Sequence, residues 1–269
     1  MFTSGCTSLF LQPDHVVYFP PEKFGYSHEE IIFSSTDGTK LKAWHFPCTP
    51  CENPKGTILQ FHGNAENLTS HYISLAWLTR YGYDLWIFDY RGYGQSEGQS
   101  DVHGSVLDSM AAIKMVLEKH KELHRPKFIV YAQSLGGALA MKALEELKES
   151  SEVDFLILDS TFASFQRVAR QKLSDHVVTW LFSPLAYLLI SDSESPKKDL
   201  DLLKMPKLVI HDKKDPVVSF TNGKLLFETL PEPKEIWEFE QGRHVGIFAL
   251  DTIENRKRFL SRLDSLAKK

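Results

Sequence analysis

The stretch Phe128-Ile129-Val130-Tyr131-Ala132-Gln133-Ser134-Leu135-Gly136-Gly137 is an apolar strand pattern that runs at once into a small-x-Ser-x-Gly turn and then a helix pattern. A serine held in so tight a turn presents its hydroxyl clear of the chain, and the residues two before and two after it must be small. Here they are Ala132 and Gly136; glycine is usual at both places, and alanine is still small enough. A hydroxyl is a poor nucleophile until a base takes its proton, so the chemistry also needs a histidine and a carboxylate that fixes the histidine's tautomer. Both follow in chain order. Asp215 lies in the turn His211-Asp212-Lys213-Lys214-Asp215-Pro216 after one strand pattern, and His244 lies in Gly242-Arg243-His244-Val245-Gly246 after the last. Ser134 is the expected nucleophile, His244 the general base and Asp215 the orienting acid.

Acyl transfer also needs donors for the oxygen that gains charge. The turn Phe61-His62-Gly63-Asn64-Ala65 ends an earlier strand pattern, and the backbone N–H of Asn64 is expected to act there with that of Leu135. His62 reads as a hydrogen-bonding residue that shapes this loop. Two other acids compete with Asp215. Asp159 ends a strand before Ser160 and Thr161 and reads as a cap for backbone N–H groups, while Asp212 reads as a turn former.

Elements must bring these turns to one edge. Short apolar runs at 29–34, 40–46, 57–61, 84–88, 127–131, 155–159, 207–211 and 235–239 alternate with helix patterns, which predicts βαβ units and a mostly parallel sheet of eight strands. The first two runs, joined by Thr36-Asp37-Gly38-Thr39, predict a hairpin. Helices are expected over 68–81, 102–123, 135–149 and 220–230, with a last one ending near residue 267. Residues 163–205 break the alternation with an apolar run around Pro184 that is too short to span a bilayer. It is either core packing or a cap, and as a cap it would set Trp180, Leu181 and Leu185 against an acyl pocket.

With 35 acidic against 31 basic side chains, the chain carries no basic excess that would suit nucleic acid. Of the three cysteines, Cys48 and Cys51 form a lone C-x-x-C step in a loop, read as incidental thiols or a local disulfide. Thr3-Ser4-Gly5-Cys6 resembles the end of a bacterial lipoprotein signal, but Met1 and Phe2 cannot supply the charged and apolar regions such a signal needs. As written the chain reads as cytoplasmic. If a signal lies upstream, Cys6 becomes the lipid anchor of an envelope lipoprotein.

Across about residues 28 to 265 the chain resembles the α/β-hydrolase superfamily. It is most similar to small serine esterases with a His62-Gly63-Asn64 turn and the loop Phe88-Asp89-Tyr90-Arg91-Gly92-Tyr93-Gly94-Gln95-Ser96-Glu97-Gly98. That branch holds monoacylglycerol-lipase-like enzymes and depalmitoylases. The resemblance implies one hydrolase domain at 28–269 with a cap insertion at 163–205, after an N-terminal extension at 1–27. It implies hydrolysis of an acyl ester or thioester, with a small-molecule or lipid substrate; peripheral membrane association is a further expectation, and the serine mechanism itself calls for no metal or cofactor. The rival readings are a small serine aminopeptidase and a binding protein without turnover on the same fold.

Overall fold

The computed structural model describes residues 11–174, 190–196, 200–248 and 252–266. Eight strands form one sheet: β1 Glu29–Ser34, β2 Lys40–Phe46, β3 Gly56–Phe61, β4 Tyr83–Phe88, β5 Phe128–Gln133, β6 Phe155–Asp159, β7 Lys207–Asp212 and β8 Lys234–Phe239. Their spatial order is β8-β7-β6-β5-β3-β4-β2-β1. The hairpin β1–β2 is antiparallel, and β2 joins β4 antiparallel; every other pair is parallel. The chain order reverses at β3, β4 and β5, and ligands of such sheets bind where the order changes, at the carboxyl ends of the strands.

The alternation of side chains along each strand feeds two cores. The α-helices of the described residues are, in chain order, α1 Leu68–His71, α2 Val102–Glu122, α3 Leu135–Glu146, α4 Phe165–Ser174, α5 Phe220–Thr229 and α6 Ile253–Ser265. Leu59, Val130, Leu158 and Val209 point to one face of the sheet, where they pack with α2, α3, α4 and α5. Ile58, Ile129, Ile157 and Ile210 point to the other, against residues 68–78 and α6 Ile253–Ser265. Both faces are covered, which is why the central strands read as continuous apolar runs rather than as alternating ones.

Two helix expectations change. The pattern at 68–81 folds as one α-turn, Leu68–His71, followed by 3-10 helices Tyr72–Ser74 and Ala76–Tyr81. Asn67 caps it through Oδ1 to the N–H of Thr69, 3.0 Å away, and aromatic packing of Tyr72 and Trp77 overrides the helical period. The pattern at 135–149 ends at Glu146, and Lys148–Glu152 continues as a 3-10 helix. The cysteines Cys48 and Cys51 are joined as a disulfide.

The loop after β4 is held by one buried cation. Arg91 is 8% exposed; its Nε lies 3.0 Å and its Nη2 2.7 Å from the Asp108 carboxylate on α2, and its Nη1 lies 2.8 Å from Asp37. Removing one partner of such a pair strands a charge away from water. Asp108→Ala is therefore expected to destabilise the fold by about 3 kcal/mol, the lower end of the usual range because Asp37 remains. Urea unfolding checks this, and a loss below about 1 kcal/mol would contradict it.

Candidate active site

At the end of β5 the backbone of Ser134 adopts φ 50° and ψ −118°, a conformation that side chains other than glycine rarely take. It is held from three sides. Its N–H donates to the carbonyl of Asp159 (2.9 Å), and its own carbonyl accepts from the N–H of Gly137 (3.0 Å) and from Thr161 Oγ1 (2.5 Å). The small neighbours are a packing requirement. Ala132 is fully buried between Phe61 and Leu158 on the adjacent strands, and a Cβ at Gly136 would sit 2.5 Å from the carbonyl oxygen of His62. The start of α3 can thus lie directly against the end of β3.

Asp215 lies in the turn after β7, with its carboxylate out of solvent. Its Oδ1 accepts the backbone N–H groups of Val217 (2.7 Å) and Val218 (2.9 Å), which aims Oδ2 at Nδ1 of His244, 2.8 Å away. Asp212 shapes the same turn by accepting the N–H groups of Lys214 (2.8 Å) and Gln241 (2.7 Å). Burial works against its charge, yet these and two further backbone donors outweigh burial and hold the carboxyl below its usual range. Among the described residues, Asp159 caps no backbone N–H group, contrary to expectation. Its carboxylate is fully buried and accepts Tyr131 Oη (2.6 Å) and Ser160 Oγ (3.0 Å), because two hydroxyls reach it first; burial raises its pKa against those bonds.

Ser134 and His244 open onto one cavity of about 670 Å3, with Asn64 and Leu135 in its wall. Leu135 is the first residue of α3, where a backbone N–H has no partner within the helix. The cavity is otherwise lined largely by Phe162, Phe165, Val168, Val217 and Val218, with Glu66 and Lys172 as its charged side chains among the described residues. Trp180, Leu181 and Leu185, expected at an acyl pocket, lie outside the described residues, as does Cys6.

His62 is buried; its Nδ1 donates to the carbonyl of Gly63 (2.8 Å) and its Nε2 lies 3.4 Å from Asp89. Two supports for the 62–67 turn had no sequence signal. One is the N-terminal arm. Gln12 and Pro13 pair in parallel with Ala65 and Glu66, the N–H of Gln12 donates to Asn64 Oδ1 (3.1 Å), and Asn67 Nδ2 donates to Asp14 Oδ1 (2.8 Å). The other is His71, whose Nε2 donates to the carbonyl of Ala65 (3.1 Å) from within the pattern read only as a helix.

A family model described as serine aminopeptidase, S33, matches residues 52–193. The uncharacterized protein YfhR of Escherichia coli O157:H7 is 29% identical over 244 residues, covering 90% of this chain and 81% of its own length. Protein bem46 of Schizosaccharomyces pombe is 27% identical over 209 residues, 77% of this chain and 67% of that protein. Among solved structures, the Pyrococcus furiosus esterase Pf2001 superposes with a TM-score of 0.70 at 19% identity, covering 94% of this chain and 99% of that one, which shows a shared fold.

His71 supplies a pH signature. Burial, with His62 beside it, lowers its pKa from 6.5 to about 4. Above 6.5 it is neutral in both the folded and unfolded chain; between 6.5 and about 4 only the unfolded chain gains the proton. The His71 contribution to stability should fall through that window on acidification and level off below it. His71→Gln, which keeps a donor for Ala65, should flatten that part of the curve in unfolding measurements from pH about 7 to about 4. An unchanged slope would contradict the assignment.

Proposed function

The chain belongs to the serine aminopeptidase, S33, family of α/β-hydrolases, and from that premise we propose that it cleaves carboxylic esters, lipid esters and thioesters included, through an acyl-enzyme at Ser134. One observation carries the reading: His244, held 2.8 Å from the buried Asp215 carboxylate, and the strained Ser134 line the same largely apolar cavity.

With Nδ1–H of His244 donated to Asp215, Nε2 is the free base. Ser134 Oγ attacks the substrate carbonyl carbon while its proton passes to Nε2. The tetrahedral oxyanion takes hydrogen bonds from the backbone N–H groups of Asn64 and Leu135. The carbon–leaving-group bond then breaks, and the alcohol or thiol departs with the proton from His244. Water attacks the acyl-enzyme with His244 again as base, the acid is released and Ser134 regains its proton. Asp215, turned by two N–H bonds, stabilises the imidazolium in both halves.

Residues 28–269 act in this reading as one hydrolase domain, with 163–205 as its cap. Phe165, Val168 and Lys172 on α4 belong to that segment and to the cavity wall, which supports an acyl-binding role. Lipid substrates and peripheral membrane contact accord with the exposed side chains of Val16, Val17, Phe19 and Phe24 on the arm. A second reading, a small aminopeptidase, has the family description and Glu66 in its favour, because a carboxylate in the cavity can hold an α-ammonium group. Comparing p-nitrophenyl esters with aminoacyl-p-nitroanilides separates the two.

A fluorophosphonate should label Ser134, and Ser134→Ala should abolish labelling and lower kcat by roughly 10⁶-fold. Asp215→Asn keeps the size but favours the wrong imidazole tautomer, so kcat should drop by about 10⁴-fold with the thermal midpoint little changed. Most of the esterase activity surviving in Ser134→Ala would sink the assignment.

A further inference from the structure

Val245 follows His244 directly and has φ 52°. A β-branched residue in the left-handed region is unfavourable and persists only where its surroundings over-determine it. Both peptide groups that flank Val245 are held. Its N–H donates to Ser160 Oγ (3.3 Å), and its carbonyl accepts from Gln133 Nε2 (3.4 Å).

Neither partner is free to turn. Ser160 is fully buried, and its single hydroxyl proton goes to Asp159 Oδ1 (3.0 Å), so a lone pair must face Val245. The Gln133 carboxamide has its Oε1 occupied by Gln60 Nε2 (2.9 Å), which turns its amino group toward Val245. Asp159 is fixed in turn by Tyr131 Oη (2.6 Å). Gln133 and Ser160 end or follow the adjacent strands β5 and β6, and Gln133 is the residue before Ser134.

We propose that Ser160 and Gln133 are positioning residues that clamp the strained Val245 peptides and thereby hold His244 in register with Ser134 and Asp215. The buried carboxylate of Asp159, which takes no part in the proposed reaction, is the anchor that orients the Ser160 hydroxyl. The inference rests on the serine-hydrolase reading for its kinetic consequence, and on geometry alone for its effect on His244. Neither residue lines the cavity, so the clamp should bear on kcat and leave KM nearly untouched.

The test is a double-mutant cycle of Ser160→Ala and Val245→Gly, read by p-nitrophenyl acetate turnover and by the downfield proton resonance of His244 Nδ1–H in NMR. With valine at 245, Ser160→Ala should lower kcat by roughly 10²-fold with KM within about twofold, and should broaden or remove the resonance. Glycine adopts φ 52° without strain, so in the Val245→Gly background the same change should lower kcat by less than about tenfold and leave the resonance visible. Should Ser160→Ala fail to fold, Gln133→Leu reads the clamp from its other side against the same glycine background. Equal losses in both backgrounds, or no change in either readout, would overturn the clamp. A parent protein that shows the resonance but does not react with a fluorophosphonate would instead remove the hydrolase reading, and the clamp would then stand or fall on the resonance.

Discussion

Everything at the site depends on one backbone conformation, the left-handed turn at Ser134. A side chain enters that region only where neighbours hold it, and here the hold comes from the next strand through Asp159 and Thr161. The turn in turn dictates close approach. Gly136 must pass within contact of the carbonyl groups ending β3, so Ser134 and the 62–67 turn are brought together by the same constraint. A larger residue at 136 would separate the serine from its proposed oxyanion donors before it altered any chemistry.

A second feature of the site is that its polar groups lie in connected chains rather than isolated pairs. Asp215 takes two backbone donors before it reaches His244, and the Gln60–Gln133 amide pair links β3 to β5 beside the turns that carry Ser134 and Gly63. Buried polar groups of this kind are costly unless satisfied, and once satisfied they fix orientation. The result is a preorganised set of loops around a largely apolar cavity, the arrangement that the proposed acyl transfer requires.

The parallel strands, buried on both faces, were legible because each is a short apolar run bounded by turn residues. The placement of Ser134, Asp215 and His244 at one edge of the sheet was legible for a different reason: each sits in a turn that directly follows a strand pattern, so position along the chain stands in for position in space. His71 was not, since a histidine inside a helical period carries no sign that its ring turns back to Ala65. The arm residues Gln12 and Asp14 were equally silent, because their bonds to Asn64 and Asn67 span about fifty residues and obey no local period. Asp159 was misread for want of its partner: nothing near it in the chain announces Tyr131, which becomes its neighbour only when β5 and β6 pair.

The central claim is that Ser134 carries the acyl group between the two halves of the reaction. Rapid quenching during p-nitrophenyl acetate turnover, followed by peptide mass spectrometry, measures this directly. A single acetyl group on the peptide containing Ser134, formed as fast as p-nitrophenol is released, is the expected result. Release of p-nitrophenol with no acetyl group on that peptide, or with one on another residue, would contradict it.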